Sequence, residues 1–298
     1  MPIKTRRNLV VTSIIFSKNR PLQLDLTLKT VAKNFEQCTK VIVLYNADPE
    51  HSAAYEVLKN EHPNVEWRQE SGANFYRNVL HCLSSFDCEN DFACFLTDDC
   101  IFYRKVPSLS SMLINLASEK MKCISLRLGS NICQRQSGKD MTVDLPSGQV
   151  FKDETSTWIM WNFFSCLYGS YWCYPMSVDG HIFKRTVLKK MLEELTLLSS
   201  QVYSDWDQNP NGLETNLQRF LATDGHSVAA PFLSCVFNSP NNKVQNTHKD
   251  NRCGDWFEYT TEFLLKKFNE GKRVDFEKLN IPDIKCPHTE INLKDGLV

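Results

Sequence analysis

The chain has 298 residues, 42% hydrophobic and 23% charged, which suits one large α/β domain or two smaller ones and excludes a disordered chain. A formal net charge of -1 gives no bulk electrostatic case for nucleic acid or for an anionic membrane surface as a partner. No apolar run reaches membrane-helix length, so no integral membrane segment is expected. In chain order, residues 9–16 read as a buried strand. They are too short, and too interrupted by Thr12 and Ser13, for a secretory leader, and no small-residue cleavage site follows. The loop 17–21 leads through Pro21 into a helix carrying Leu22, Leu26, Leu28, Val31 and Phe35. A continuous apolar strand follows at 40–45, then a helix to about residue 61, a short strand at 65–69, a helix at 75–83 and a strand at 92–96. Strands without alternation, separated by helices, predict an α/β fold with a mostly parallel central sheet flanked by helices.

The second half is less regular. A helix is expected at 108–119 and a strand at 122–128, followed by a polar, turn-rich stretch from 129 to 153. Residues 158–174 are dense in aromatics, which suits either core packing or a platform for a sugar face. Helices are expected at 185–198 and from 209, a last strand at 229–236, and a docked helix within 256–269 before a loosely held tail at 271–298. Twelve cysteines include no C-x₂-C pair, which argues against structural zinc. We read most of them as reduced, small core residues, with a cytoplasmic location expected.

The most informative junction is Thr97-Asp98-Asp99-Cys100, at the end of a buried strand. Ligands of open α/β folds gather at such strand ends. Two adjacent carboxylates repel unless they hold a cation, and Mg²⁺ or Mn²⁺ there would in turn favour a phosphate. The same residues also suit a strand-to-turn junction. Neither G-x-G-x-x-G nor G-x-x-x-x-G-K-[ST] occurs, so no dinucleotide or P-loop fingerprint is present.

The order of strand, Ser17/Arg20-Pro21 loop, helix, strand, helix, strand, Asn74/Arg77 helix, strand and Thr97-Asp98-Asp99 resembles a GT-A type glycosyltransferase of the family-2-like group over about the first 105 residues. The resemblance implies a GT-A (nucleotide-diphospho-sugar transferase) fold. Its nucleotide-sugar-binding half would be 1–105, the acceptor-binding and catalytic half of the same domain 106–270, and a C-terminal tail 271–298. It implies a metal-dependent transfer of a sugar from a nucleotide-sugar donor to a glycan, protein or lipid-linked acceptor, with Mn²⁺ or Mg²⁺ as cofactor. Asp98 and Asp99 would hold the metal, Asp98 would also touch the donor ribose, and His248 would be a further ligand. His181 and His226 read better as structural histidines. Ser17, Arg20, Asn74 and Arg77 would contact the donor, where the planar arginine fork suits phosphate. Glu214 or Asp179 would be the general base on the acceptor hydroxyl. A full D-x-D would need an acid at position 100, where this chain has Cys100, which favours a register with Asp99 on the metal. Two other readings remain open. One is a sugar-phosphate nucleotidyltransferase, disfavoured because Ser17-Lys-Asn-Arg20 lacks glycine; the other is a non-catalytic binding module of the same fold.

Overall fold

The computed structural model of the protein describes residues 9–71, 74–85, 92–135, 144–166, 170–201, 208–221, 227–245 and 253–298. Two nearly unbroken apolar strands sit at its centre. β1 (Val11–Lys18) lies parallel between β2 (Cys38–Asn46) and β4 (Phe92–Thr97), and β3 (Glu66–Gln69) continues the parallel array beyond β2. Both faces of β1 and β4 are buried, as strands that do not alternate require. The crossovers are α1 (Pro21–Asn34), α2 (Pro49–Glu61) and α3 (Phe75–Ser84), and both α1 and α2 start on a proline, whose fixed φ suits a first turn.

Beyond β4 the sheet becomes mixed. β9 (His181–Lys184) inserts antiparallel between β4 and β6 (Met121–Ser125), and β10 (Ser227–Pro231), β8 (Thr157–Asn162) and β7 (Gly148–Lys152) complete the edge. Among the described residues this gives a nine-stranded sheet, β3-β2-β1-β4-β9-β6-β10-β8-β7, in which only β9 and β8 run against the rest. The helices α4 (Ser110–Ala117), α5 (Arg185–Gln201), α6 (Pro210–Leu221) and α7 (Thr261–Asn269) accompany α1–α3 around it. The α/β class, with its mostly parallel central sheet flanked by helices, is thus as expected. No helix among the described residues is long and apolar enough to cross a membrane.

Three local expectations change. The single strand expected at 229–236 is two strands: β10 stops at Pro231, the chain turns through exposed Phe232 and Leu233, and β11 (Val236–Asn238) joins β5 (Cys100–Phe102) in a small separate sheet. The polar stretch at 129–153 contributes the edge strand β7, and the aromatic segment is chiefly core, with Trp158, Trp161 and Trp172 buried and Phe164 exposed. The C-terminal segment is docked. Ile284, Ile291 and Leu293 are buried, and Asn238 exchanges backbone bonds with Pro287 and Thr289. All described cysteines are free thiols.

Gly180 turns the chain into β9 with φ +96°, its N–H donating to Phe95 O at 2.7 Å, and an added Cβ would lie 2.7 Å from Val236 Cγ1. Gly180→Ala should therefore cost ~1–3 kcal/mol, read as a lower urea midpoint at unchanged slope.

Candidate active site

The parallel register Phe16↔Thr97 brings the C-terminal ends of β1 and β4 side by side. Asn19 then takes a left-handed conformation (φ 55°), which asparagine tolerates, and its amide is held by Asp48. That turn returns Arg20 across the strand ends just before α1 begins. Asp98 accepts from Ser17 Oγ at 2.9 Å, Lys18 N–H at 3.0 Å and Arg20 Nη1 at 3.0 Å. Arg20 Nη1 also reaches Asp99 Oδ2 at 3.3 Å, and Nη2 donates to Asn242 O at 2.5 Å. Arg20 is only 8% exposed, so its charge is compensated almost wholly by this pair.

Asn238, on β11, ties this half of the site to the second half. Its amide nitrogen lies 3.0 Å from both Asp99 Oδ1 and Asp179 Oδ1, one proton for each carboxylate. Thr97 Oγ1 sits between the same two oxygens, at 2.7 and 3.0 Å. Asp179 Oδ2 accepts from Arg127 Nη1 at 2.8 Å, Arg127 also donates to Ser177 Oγ, and His288 Nε2 lies 3.5 Å from Asp179. Glu214, on α6, accepts from Val178 N–H at 2.7 Å, one residue before Asp179. The result is a continuous row: Ser17 and Arg20, then Asp98, Asp99 and Asp179, then Glu214.

Environment separates the carboxylates. Burial pushes Asp98 up to about 6, against the pull of Arg20. Burial also acts upward on Asp179, but Arg127 overcomes it and holds that carboxyl well below the usual range. Burial and the neighbouring Asp179 charge raise Glu214 to about 7. Burial drives His181 down to about 3, so it stays neutral within β9, outside the row.

The expected divalent cation takes oxygen ligands and keeps positions for phosphate and water. Asp98 is fully engaged by Ser17, Lys18 and Arg20. Asp99 Oδ2, with Arg20 at a long 3.3 Å, is the available oxygen, and four carboxylates face only two guanidiniums. Asp99 Oδ2 is therefore the more open of the two neighbouring carboxylates toward a cation. Cys100 is fully buried in β5, where its sulfur takes the Thr97 N–H at 3.4 Å, so an acid there would point into the core. A second group that could hold a metal, Asp25, Glu61 and His62, lies on α1 and the end of α2. Ion pairs already occupy it: Asp25 with Lys29 and His62, and Glu61 with Arg273.

The structure thus brings together Ser17, Arg20, Asp98, Asp99, Asp179 and Glu214. Asn74 instead caps α3, accepting from Arg77 N–H at 3.1 Å, and the Arg77 side chain is exposed. Among the described residues no hydrogen bond or ion pair joins either side chain to the row. His248 and His226 lie outside the described residues. Sequence reasoning missed Arg127, Asn238, Asn242 and His288. An arginine within the buried stretch 122–128 was a usable signal for the first; the others are set by long-range docking.

No protein-family model matches the chain, and no curated protein matches its sequence. Among solved structures it is similar to the 4-diphosphocytidyl-2C-methyl-D-erythritol synthase of Anaerococcus prevotii, with 12% identity, 88% of this chain and 97% of that one covered, and a TM-score of 0.41. It is also similar to residues 1–349 of S. aureus TarS in complex with UDP, with 13% identity, 76% of this chain and 58% of that one, and a TM-score of 0.45. For GalNAc-T7 with UDP, GalNAc and Mn2+ the values are 10%, 87%, 47% and 0.45. The chain thus spans a little over half of the TarS fragment and a little under half of the GalNAc-T7 chain. Likenesses this distant concern the course of the chain and say nothing of its activity.

Arg127→Met removes the cation that keeps buried Asp179 ionised and should cost ~3–5 kcal/mol in a denaturant titration near neutral pH. Because the folded-state pKa of Asp179 is depressed, this contribution is present above the ordinary carboxylate range and fades as pH falls through it.

Proposed function

We propose that the protein transfers a sugar from a nucleoside-diphosphate donor to a hydroxyl of a glycan, protein or lipid-linked acceptor, with Mn²⁺ or Mg²⁺ held at Asp99. The observation that carries this reading is the ordered row at the joined ends of β1 and β4. A buried arginine fork stands at one end, and a carboxyl raised to about 7 stands at the other.

Each member of the row has a distinct task. Ser17 and Arg20 face the donor, with Arg20 aimed at the diphosphate by Asp98 and by the Asn242 carbonyl. When bound, the divalent ion offsets the charge that develops on the departing diphosphate. Asn238 and Thr97 fix Asp99 and Asp179 at a constant separation, which orients the row without solvent reorganisation. Asp179 is too acidic and too fully paired with Arg127 to serve as a base at neutral pH. Glu214 suits that role, because a base is most effective with a pKa near the working pH. In a direct displacement Glu214 takes the acceptor hydroxyl proton as the acceptor oxygen bonds to the anomeric carbon. The bond from that carbon to the diphosphate oxygen breaks, and the nucleoside diphosphate leaves with the electron pair.

Two measurements check this reading. UDP, GDP and TDP, each with Mn²⁺, should be screened by thermal shift; at least one should raise the melting temperature, and Asp99→Ala should abolish the rise. No shift with any of the three would count against the reading. For the base, kcat/KM should rise as pH climbs through about 7, where Glu214 ionises. Glu214→Gln should lower kcat by roughly 10²–10⁴ and remove that limb. An unchanged rate or profile would move the role elsewhere.

A further inference from the structure

Trp256 is 79% exposed, the most exposed large hydrophobic side chain among the described residues. A tryptophan left in solvent is unusual, because its ring forgoes a large burial gain. Yet the backbone beneath it is pinned. The Glu290 carboxylate accepts three consecutive N–H groups, from Asp255 at 2.8 Å, Trp256 at 2.8 Å and Phe257 at 3.0 Å. Gly254, in the left-handed region at φ 66°, donates to Pro240 O at 2.9 Å. Asn241 then takes the Tyr259 N–H on its own carbonyl and donates its side-chain amide to Phe257 O at 3.0 Å.

The segment to which this loop is stapled also holds residues of the row. Ser239 N–H donates to Asp99 O at 2.9 Å, Asn238 holds Asp99 and Asp179, and the Asn242 carbonyl receives Arg20. Cys253, at the start of the loop, lies within the electrostatic reach of Arg20. The exposed ring is therefore carried on a fixed arm, tied through Asn241 to the segment whose next residue, Asn242, receives Arg20.

We propose that Trp256 is a stacking platform for a ring of the nucleotide-sugar donor, an assignment that rests on the donor reading of Arg20 given above. The flat faces of a nucleobase or a hexose suit an indole, and pre-fixing the arm removes part of the ordering cost of binding. Glu290 then acts as a positioning residue, since it touches the loop and not the ligand.

The test uses the full chain with UDP and UDP-GlcNAc, then GDP and GDP-mannose, each with Mn²⁺. Binding is followed by calorimetry and by tryptophan emission excited at 295 nm. The wild type should lose emission on binding, and a Trp256→Phe chain should lack that change while keeping most of the affinity. Trp256→Ala should weaken binding about tenfold at an unchanged melting temperature, as expected for an exposed ring. A response to UDP alone places the nucleobase on the ring, and a response only to the sugar nucleotide places the hexose there; either supports the proposal. Binding by calorimetry with the same affinity in Trp256→Ala, and the same quenching in Trp256→Phe, overturns it while leaving the donor reading intact. Absence of binding by the wild type to any of the four overturns the donor reading itself.

Discussion

Arg20 lying across Asp98 and Asp99 is the constraint on which the rest of the site depends. An arginine this buried, with its partner carboxylates equally withdrawn from water, is tolerable only while both sides of the pair are present and hydrogen-bonded. The pairing fixes where β1 may end relative to β4, and it requires the left-handed turn at Asn19 that brings the guanidinium back. Through the Asn242 carbonyl it also requires the chain after β11 to pass close by. One ion pair and its carbonyl partner thus join residues from the first and last thirds of the molecule.

Around this pair the fold builds an electrostatic gradient. Identical carboxyl groups end in different states because their surroundings differ: Asp98 raised by burial, Asp179 depressed by Arg127, and Glu214 raised by burial and by Asp179 beside it. Pairs of titratable groups pushed apart in this way are a usual sign of divided acid, base and binding roles. Asn238 is the physical coupling between them. Its single amide nitrogen serves Asp99 and Asp179 together, so neither can move without affecting the other.

Much of the first hundred residues was legible, because largely apolar, non-alternating stretches such as Val11–Lys18 and Phe92–Thr97 leave few alternatives to buried parallel strands. Pro21 marked a helix start for a local reason that tertiary context did not override, and Pro49, which reads from the sequence as the end of a turn, is the first residue of α2. The second half was harder. β9 is a short strand inserted against its neighbours, and β10 and β11 read as one apolar run although they belong to different sheets. Of the row, Ser17, Arg20, Asp98, Asp99 and Glu214 were chosen from the sequence because they sit near strand ends or helix starts, and Asp179 because it adjoins Gly180. Arg127, Asn238, Asn242 and His288 act through contacts up to 222 positions apart, as between Arg20 and Asn242, which no local pattern encodes. The different acidities of Glu214 and Asp179 were likewise beyond the sequence, because they turn on which of them Arg127 meets.

The most direct test of the central claim is diffraction from crystals grown with UDP and Mn²⁺, recorded at the manganese absorption edge. The account predicts an anomalous peak beside Asp99 Oδ2, with the diphosphate between that ion and the Arg20 guanidinium. A nucleotide seated away from the ends of β1 and β4, or a manganese peak confined to Asp25, Glu61 and His62, would contradict it.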